Sequence, residues 1–175
     1  MTTDEQVQWE LPTNLEELYA KQIDFCRKIF DDCGEVQPMW VGQSEDGEIY
    51  PITSVFGSPE EKEATAMALK EIFNKFDVVR YVSMIESWMV VADSNTYDPE
   101  VDARPSQHPD RMEVILIVGE DGDTEIFGYF KIIREEGKKP YLSKFERKTG
   151  EGFSSLGTFS ELLPRKNAKK ATSIH

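Results

Sequence analysis

The residues best suited to chemistry lie in and around one proline-containing segment. Arg104–Arg111 contains His108 and Asp110, and Asp93 begins the polar stretch that precedes them. Imidazole nitrogens and carboxylate oxygens can hold a divalent ion, and a bound ion can activate water for hydrolysis. The sequence therefore allows a small metal-dependent hydrolase, in which Asp93, His108 and Asp110 would bind the metal. Glu86, His108 and Asp110 would act in catalysis.

Glu86 belongs to this hypothesis because of its place in an apolar stretch. Period-two alternation from Tyr81 to Val91 puts Glu86 on the same strand face as Met84 and Trp88. Burial on such a face would raise the pKa of the carboxyl group, as a general acid or base requires. Two structural alternatives remain open. Glu86 could be an inward charge that guards an edge strand, or it could lie on an exposed face with scattered apolar residues.

Other motifs do not have the spacing that their chemistry needs. Ser106, His108 and Asp110 are two residues apart, so in an extended loop they point alternately and cannot form a nucleophile triad unaided. Glu120–Asp123 lacks the alternating acids and the distal glutamate of an EF-hand, and it is typical of a hairpin turn. The sequence has no glycine-rich phosphate loop and no paired CxxC motif. We therefore expect no cofactor, and a binding protein is favoured over an enzyme.

The cysteines and the apolar residues indicate the compartment. Cys26 and Cys33 lie seven residues apart in one predicted helix, a rise of about 10.5 Å, whereas a disulfide needs Cα atoms within ~7 Å. Both are expected to be free thiols packed in the core, which suits a reducing cytoplasm. The N-terminus is acidic, and no run of about 18 apolar residues exists. The prediction is a cytoplasmic protein with no membrane contact.

Hydrophobic spacing and turn signals predict the elements that must position these residues. Apolar residues recur every three or four positions from Leu15 to Cys33, with Thr13 or Asn14 as the cap and Gly34 as the stop. A second helix should begin at Ser58-Pro59 and bury Met67 and Phe76. Strands are predicted at 38–52 (a hairpin), 78–92, 112–118, 125–134 and 140–148, with a long polar loop at 93–109.

Together these elements predict an α+β fold with a mostly antiparallel sheet of about six strands. The two main helices are expected to pack on one face of that sheet. Residues 13–163 should form a single domain. Residues 1–12 are expected to form a flexible arm, and residues 164–175 a basic disordered tail.

Charge is unevenly distributed along the chain. The 33 acidic and 20 basic residues give a net charge of −13. Residues 1–125 carry −19, whereas residues 126–175 carry +6. Such an acidic surface repels nucleic acid and favours a basic protein partner. The predicted binding surface follows the first helix and opens the second, at Asp31, Asp32, Glu35, Glu60, Glu61 and Glu63.

A third functional class is a nucleic-acid-binding module on the basic C-terminal strands. The segments 126–134 and 141–148 interleave aromatic residues with lysine and arginine, as in sheets that stack single-stranded bases. Alternating aromatic residues in strands also pack in cores. The overall negative charge disfavours nucleic acid as a partner.

Three segments resemble uncharacterised small acidic proteins of phages and mobile elements. They are Glu86–Asp93, Arg104–Val114 and Gly119–Gly122, within about 40 residues. The resemblance brings no assigned activity, but it implies an accessory protein that acts by binding other proteins. The leading hypothesis is thus a non-enzymatic binding protein with an acidic surface. One specific form of it is an inhibitor that offers carboxylates to a host nucleic-acid-binding or defence protein.

Overall fold

The computed structural model describes residues 10–90, 107, 109–148, 159 and 161–163. Asn14 caps the first helix, since its side chain accepts a hydrogen bond from the Glu17 backbone N–H at 2.9 Å. The helix ends at Gly34, which has a left-handed φ of 77°. The elements in chain order are α1 Leu15–Cys33, β1 Met39–Ser44, β2 Ile49–Thr53, α2 Pro59–Lys75, β3 Val78–Met89, β4 Met112–Asp121, β5 Glu125–Ile133, β6 Tyr141–Leu142 and β7 Glu146–Lys148.

The strands form one antiparallel sheet in the order β2-β1-β3-β4-β5-β6, and β7 pairs with β5. The predicted α+β class and the mostly antiparallel sheet are confirmed. The predicted strand at 140–148 is divided into β6 and β7. Between them, the Ser143 hydroxyl accepts a hydrogen bond from the Lys131 N–H at 2.9 Å, and Phe145 turns inward against Phe130. An inward aromatic side chain thus interrupts the edge strand.

The two helices cover opposite faces of the sheet, which corrects the expectation that both pack on one face. Val41, Val82 and Met84 join the core beneath α1, whereas Trp40 and Tyr81 join the core beneath α2. Side chains alternate along a strand, so neighbouring residues of β1 and β3 supply both cores. The sheet is therefore buried on both sides at its centre.

The buried stripe of α2 also differs from the expected one. Ala66, Leu69 and Phe73 are buried, whereas Met67 is 65% exposed and Phe76 is 40% exposed. The helix has alanines and other apolar residues on more than one side. Its packing against the sheet, rather than the spacing of its apolar residues, therefore decides which side is buried. The start of α2 is as expected, because Ser58 caps it and Glu61 accepts a hydrogen bond from the Gly57 N–H at 2.5 Å.

Residues near both predicted domain boundaries pack against this body. Pro12 is buried, and its carbonyl accepts a hydrogen bond at 2.7 Å from the side chain of Gln43, which is fully buried. Leu162 is 1% exposed and lies in the core with Trp40. Pro12 and Leu162 therefore both belong to the packed body. The predicted tail at 164–175 and most of the predicted arm, residues 1–9, lie outside the described residues.

Candidate acidic binding surface

The hydrolase residues are only partly placed by the structure. Asp93 and His108 lie outside the described residues, and Asp110 is exposed. Within the described part of the chain, no group of three or more His, Cys, Asp or Glu side chains could hold a metal ion. The metal-site prediction for Asp93, His108 and Asp110 therefore remains a prediction.

Glu86 is half-buried and holds the loop that follows α1. Its Oε1 accepts a hydrogen bond of 2.7 Å from the Val36 backbone N–H. Burial raises the pKa of Glu86, the Val36 N–H opposes this shift, and the nearby Glu113 carboxylate adds to it. Glu113 itself accepts two hydrogen bonds from Arg134, at 2.6 and 2.7 Å. The observed contact gives Glu86 a structural role, because it provides an acceptor for a backbone donor between α1 and β1.

Replacing Glu86 with glutamine is expected to raise the melting temperature at neutral pH. The pKa of Glu86 in the folded protein lies above its ordinary value, so folding favours the protonated carboxyl group. The stability that the protonated group contributes is fully present at a pH below the ordinary pKa, and it is lost as the pH rises through the folded-state pKa. Glutamine has no charge to desolvate and keeps an oxygen for Val36. Melting curves of both proteins should therefore converge near pH 4 and separate as the pH rises.

Glu86→Ala is the matched comparison. It removes the same charge but leaves the Val36 N–H without its acceptor, which costs about 1–3 kcal/mol where the donor stays buried. If the alanine and glutamine variants melted at the same temperature, the hydrogen bond to Val36 would not contribute to stability.

The cysteines are free, as expected, but only one lies in the core. Cys26 is fully buried, and burial raises the pKa of its thiol to about 12. Cys33 is exposed in the last turn of α1, which corrects its expected packing. A high thiol pKa makes Cys26 a poor nucleophile, so it acts as a small apolar side chain.

The predicted acidic surface lies at one end of the sheet, which we call the loop end because β3 finishes and β4 begins there. Asp31 and Asp32 lie in the last turn of α1 rather than after it, and the Val36–Glu86 contact places them and Glu35 near this end. The start of α2 lies at the same end because α2 follows β2, whose last residue is Thr53. Thr53 pairs with Met39, and Met39 pairs with Met84 in the second half of β3. The helices lie on opposite faces, so the group Asp31, Asp32 and Glu35 is separated by the sheet from the group Glu60, Glu61 and Glu63.

The loop end also holds basic and aromatic groups that reduce its acidity. The Arg111 guanidinium lies 4.8 Å from the ring centre of Trp88, which is 42% exposed. Lys62 lies over the ring of Phe56, and Arg134 pairs with Glu113. Glu61 is occupied by the hydrogen bond that caps α2. The six predicted residues therefore do not form one continuous acidic patch.

The opposite end of the sheet gathers more acidic side chains than sequence reasoning indicated. Gln43, Arg80 and Asp121 lie side by side in the strand register, which brings the β1–β2 and β4–β5 turns to the same end. The start of α1 reaches this end through Leu15 beside Gly119, and Asp77 directly precedes β3. We name the result the turn-end surface, formed by Glu17, Glu45, Asp46, Glu48, Asp77, Asp121, Asp123 and Glu125.

Basic groups among the described residues offset part of this charge. Arg80 donates a hydrogen bond of 2.8 Å to the Gln43 side chain, and Lys75 lies over the exposed ring of Phe76. Strands lie about 4.8 Å apart, so the carboxylates from β2 to β5 span about 19 Å. Because the contributing segments are far apart in sequence, no local charge pattern could have identified this surface.

A shallow aromatic cavity of about 540 Å³ opens on the turn-end surface. Tyr50 and Phe76 stack with their ring centres 4.8 Å apart, and Glu45, Asp46 and Asp77 surround them. The Tyr50 hydroxyl donates a hydrogen bond of 2.7 Å to Glu48. This combination of aromatic area and negative charge suits the stem and charged head of lysine or arginine.

The basic and aromatic strands that suggested nucleic-acid binding have structural roles. Phe130 is fully buried, and Phe145 packs edge-on against it with ring centres 5.0 Å apart. Arg147 donates two hydrogen bonds to Glu16, at 2.8 and 2.7 Å. Lys131 lies 3.9 Å from Glu146. Phe130 and Phe145 thus complete the core under α1, and Arg147 and Lys131 pair with carboxylates of this protein.

No helix in the described part of the chain has both the length and the apolar character needed to span a membrane. Comparisons with protein-family models, curated proteins and solved structures gave no match. The functional assignment therefore rests on the residues and their geometry.

Proposed function

We propose that this protein is a non-enzymatic accessory protein of the phage or mobile-element type, which binds a basic protein through its turn-end surface. The observation that carries the proposal is the convergence of carboxylates from α1, two hairpin turns and Asp77 just before β3. Grouped carboxylates make the local electrostatic potential more negative, which attracts a positively charged partner and speeds its association.

The aromatic cavity gives this surface a means of specific contact. Aromatic residues and arginine contribute much of the binding energy in protein interfaces, whereas exposed charges mainly steer the partner. Tyr50 and Phe76 provide aromatic area within the acidic surround. A basic protein whose lysine or arginine enters this cavity fits both features. In the finer form of the proposal, that partner is a nucleic-acid-binding or defence protein that the acidic surface inhibits.

Charge reversal at two exposed turn residues tests the proposal. Glu45 and Asp123 are exposed and lie in different hairpin turns, so Glu45→Lys with Asp123→Lys should leave the fold intact. We expect the wild-type protein to retain a basic protein from a lysate of its source organism at low salt. The double variant should lose most of this capture, and high salt should release the partner from the wild type.

The matched control is Glu60→Lys with Glu63→Lys at the loop end. It makes the same change in net charge and avoids Glu61, which caps α2. This control should capture the partner nearly as well as the wild type. Loss of capture in the control alone would contradict the turn-end surface. Recovery of nucleic acid in place of a basic protein would contradict the proposed partner class.

A further inference from the structure

An apolar groove of about 790 Å³ runs between α1 and the β1–β2 hairpin. Ile29, Met39 and Ile49 line its interior. At its rim, Leu11 is 57% exposed and Phe25 is 43% exposed. Large exposed apolar side chains beside a groove are typical of a surface that packs against another protein.

The α1 wall of this groove carries a stripe of alternating charges. Lys21, Asp24, Lys28 and Asp32 all line the groove and are three or four residues apart, which places them on one side of the helix. Among the residues that the structure describes, none of these four side chains makes an ion pair or a hydrogen bond. Four charges thus surround Phe25, and no described residue pairs with them.

The stripe is complementary to itself when the helix direction is reversed. In an antiparallel arrangement centred at Cys26, Asp24 lies opposite Lys28 of the partner subunit. Lys21 then lies within one residue, about 1.5 Å along the helix, of the position opposite Asp32 of the partner subunit. A two-fold axis repeats each pair, so four attractive pairs form and no like charges meet. The same arrangement brings Phe25 from both copies to the axis.

We propose that this groove is a homodimer interface, in which the α1 helices of two copies pack antiparallel. A two-fold interface uses the same patch on both subunits, so that patch must be self-complementary. The two lysines and two aspartates of the stripe meet this condition. A uniformly basic or acidic partner would face like charges at half of these positions, which disfavours such an occupant.

The net charge of −13 on each chain opposes this association at long range. Exposed charges further apart than about 8 Å are screened at physiological ionic strength, whereas ion pairs in direct contact are screened less. The stripe has no net charge, so it brings no local repulsion. The dimer should therefore form at physiological salt and weaken at very low salt, the opposite of the salt dependence expected for capture of the basic partner.

Two single charge reversals test the interface, with sedimentation velocity over a range of protein concentrations as the measurement. Lys28→Asp puts an aspartate opposite Asp24 of the partner subunit. Asp24→Lys puts a lysine opposite Lys28 of the partner subunit. The wild type should form a dimer, and each variant alone should dimerise at least about tenfold more weakly, because like charges then meet twice.

Mixing the two variants distinguishes interface charge from misfolding. The Lys28→Asp chain presents two aspartates where the Asp24→Lys chain presents two lysines, so a mixed pair regains all its attractive contacts. The equimolar mixture should restore the dimer. A monomeric wild type at every concentration, or a dimer that neither variant weakens, would overturn the inference. Failure of the mixture to dimerise would also overturn it. The readout is the mass of the protein alone, so the outcome is independent of the proposed function.

Discussion

Replacing Trp40 with alanine is expected to cost about 3–5 kcal/mol of unfolding free energy, the largest effect of any single truncation proposed here. Trp40 is fully buried at the centre of the core beneath α2. Its ring lies 4.9 Å from that of Phe159 and also helps to bury Leu162. Removing the indole leaves a cavity where β1, α2 and the segment containing Phe159 and Leu162 meet. Urea unfolding followed by circular dichroism measures the loss.

Trp40→Phe is the informative companion. The indole Nε1–H of Trp40 is buried and has no acceptor among the described residues, and an unpaired buried donor is itself unfavourable. Phenylalanine keeps an aromatic ring and removes that donor. The loss of unfolding free energy in Trp40→Phe should therefore be well below the loss in Trp40→Ala. Equal costs for the two substitutions would show that this core does not depend on the ring at position 40.

Replacing Gly128 with alanine is expected to destabilise the protein by about 1–3 kcal/mol through overpacking. A Cβ at this position would lie 2.3 Å from the Phe145 ring and 2.8 Å from the Tyr19 hydroxyl. That hydroxyl donates a buried hydrogen bond of 2.8 Å to the Ile117 carbonyl. The new methyl group must therefore displace an aromatic ring, strain a buried hydrogen bond, or both. Thermal and urea unfolding measure the effect.

Two further variants separate crowding from the general effect of an added methyl group. Gly122→Ala is the control, because a Cβ there meets no atom within 4 Å. It should change stability little. Phe145→Leu shortens the side chain nearest to Gly128, so combining it with Gly128→Ala should cost less than the sum of the single changes. Additive costs would mean that Phe145 is not the source of the strain.

Local signals predicted much of the secondary structure. Asn14 and Ser58 cap the helices because a short polar side chain can satisfy a free backbone N–H at the first turn. Asp46-Gly47 forms the first hairpin because glycine adopts the positive φ of 93° that this turn requires. Glu86 is half-buried with a raised pKa, as its alternation with apolar residues indicated. These features depend on residues that are close in sequence, and the sequence pattern can therefore predict them.

Local sequence signals do not predict that the last strand is divided into β6 and β7. Residues 140–148 have the composition of one strand, yet Phe145 leaves the edge and fills the space above Gly128. The absence of a side chain at Gly128 creates that space, 17 residues away in sequence. Neither segment alone specifies the contact.

The location of the proposed binding surface could not be predicted from local sequence either. Composition determined that the protein is acidic, and it directed attention to the runs Asp31–Glu35 and Glu60–Glu63. Strand register decided that Glu45, Asp77 and Asp123 share one end of the sheet.

The sequence by itself therefore determined the helices, the hairpin turns, the α+β class and the sign of the charge. These follow from hydrogen bonds and side-chain spacing within a few residues. Only the tertiary structure decided that α1 and α2 cover opposite faces, which of the acidic residues meet, and that α1 presents Phe25 beside a groove. Those outcomes depend on which distant strands pair and in which register, because pairing fixes the face and the end of the sheet at which every side chain lies.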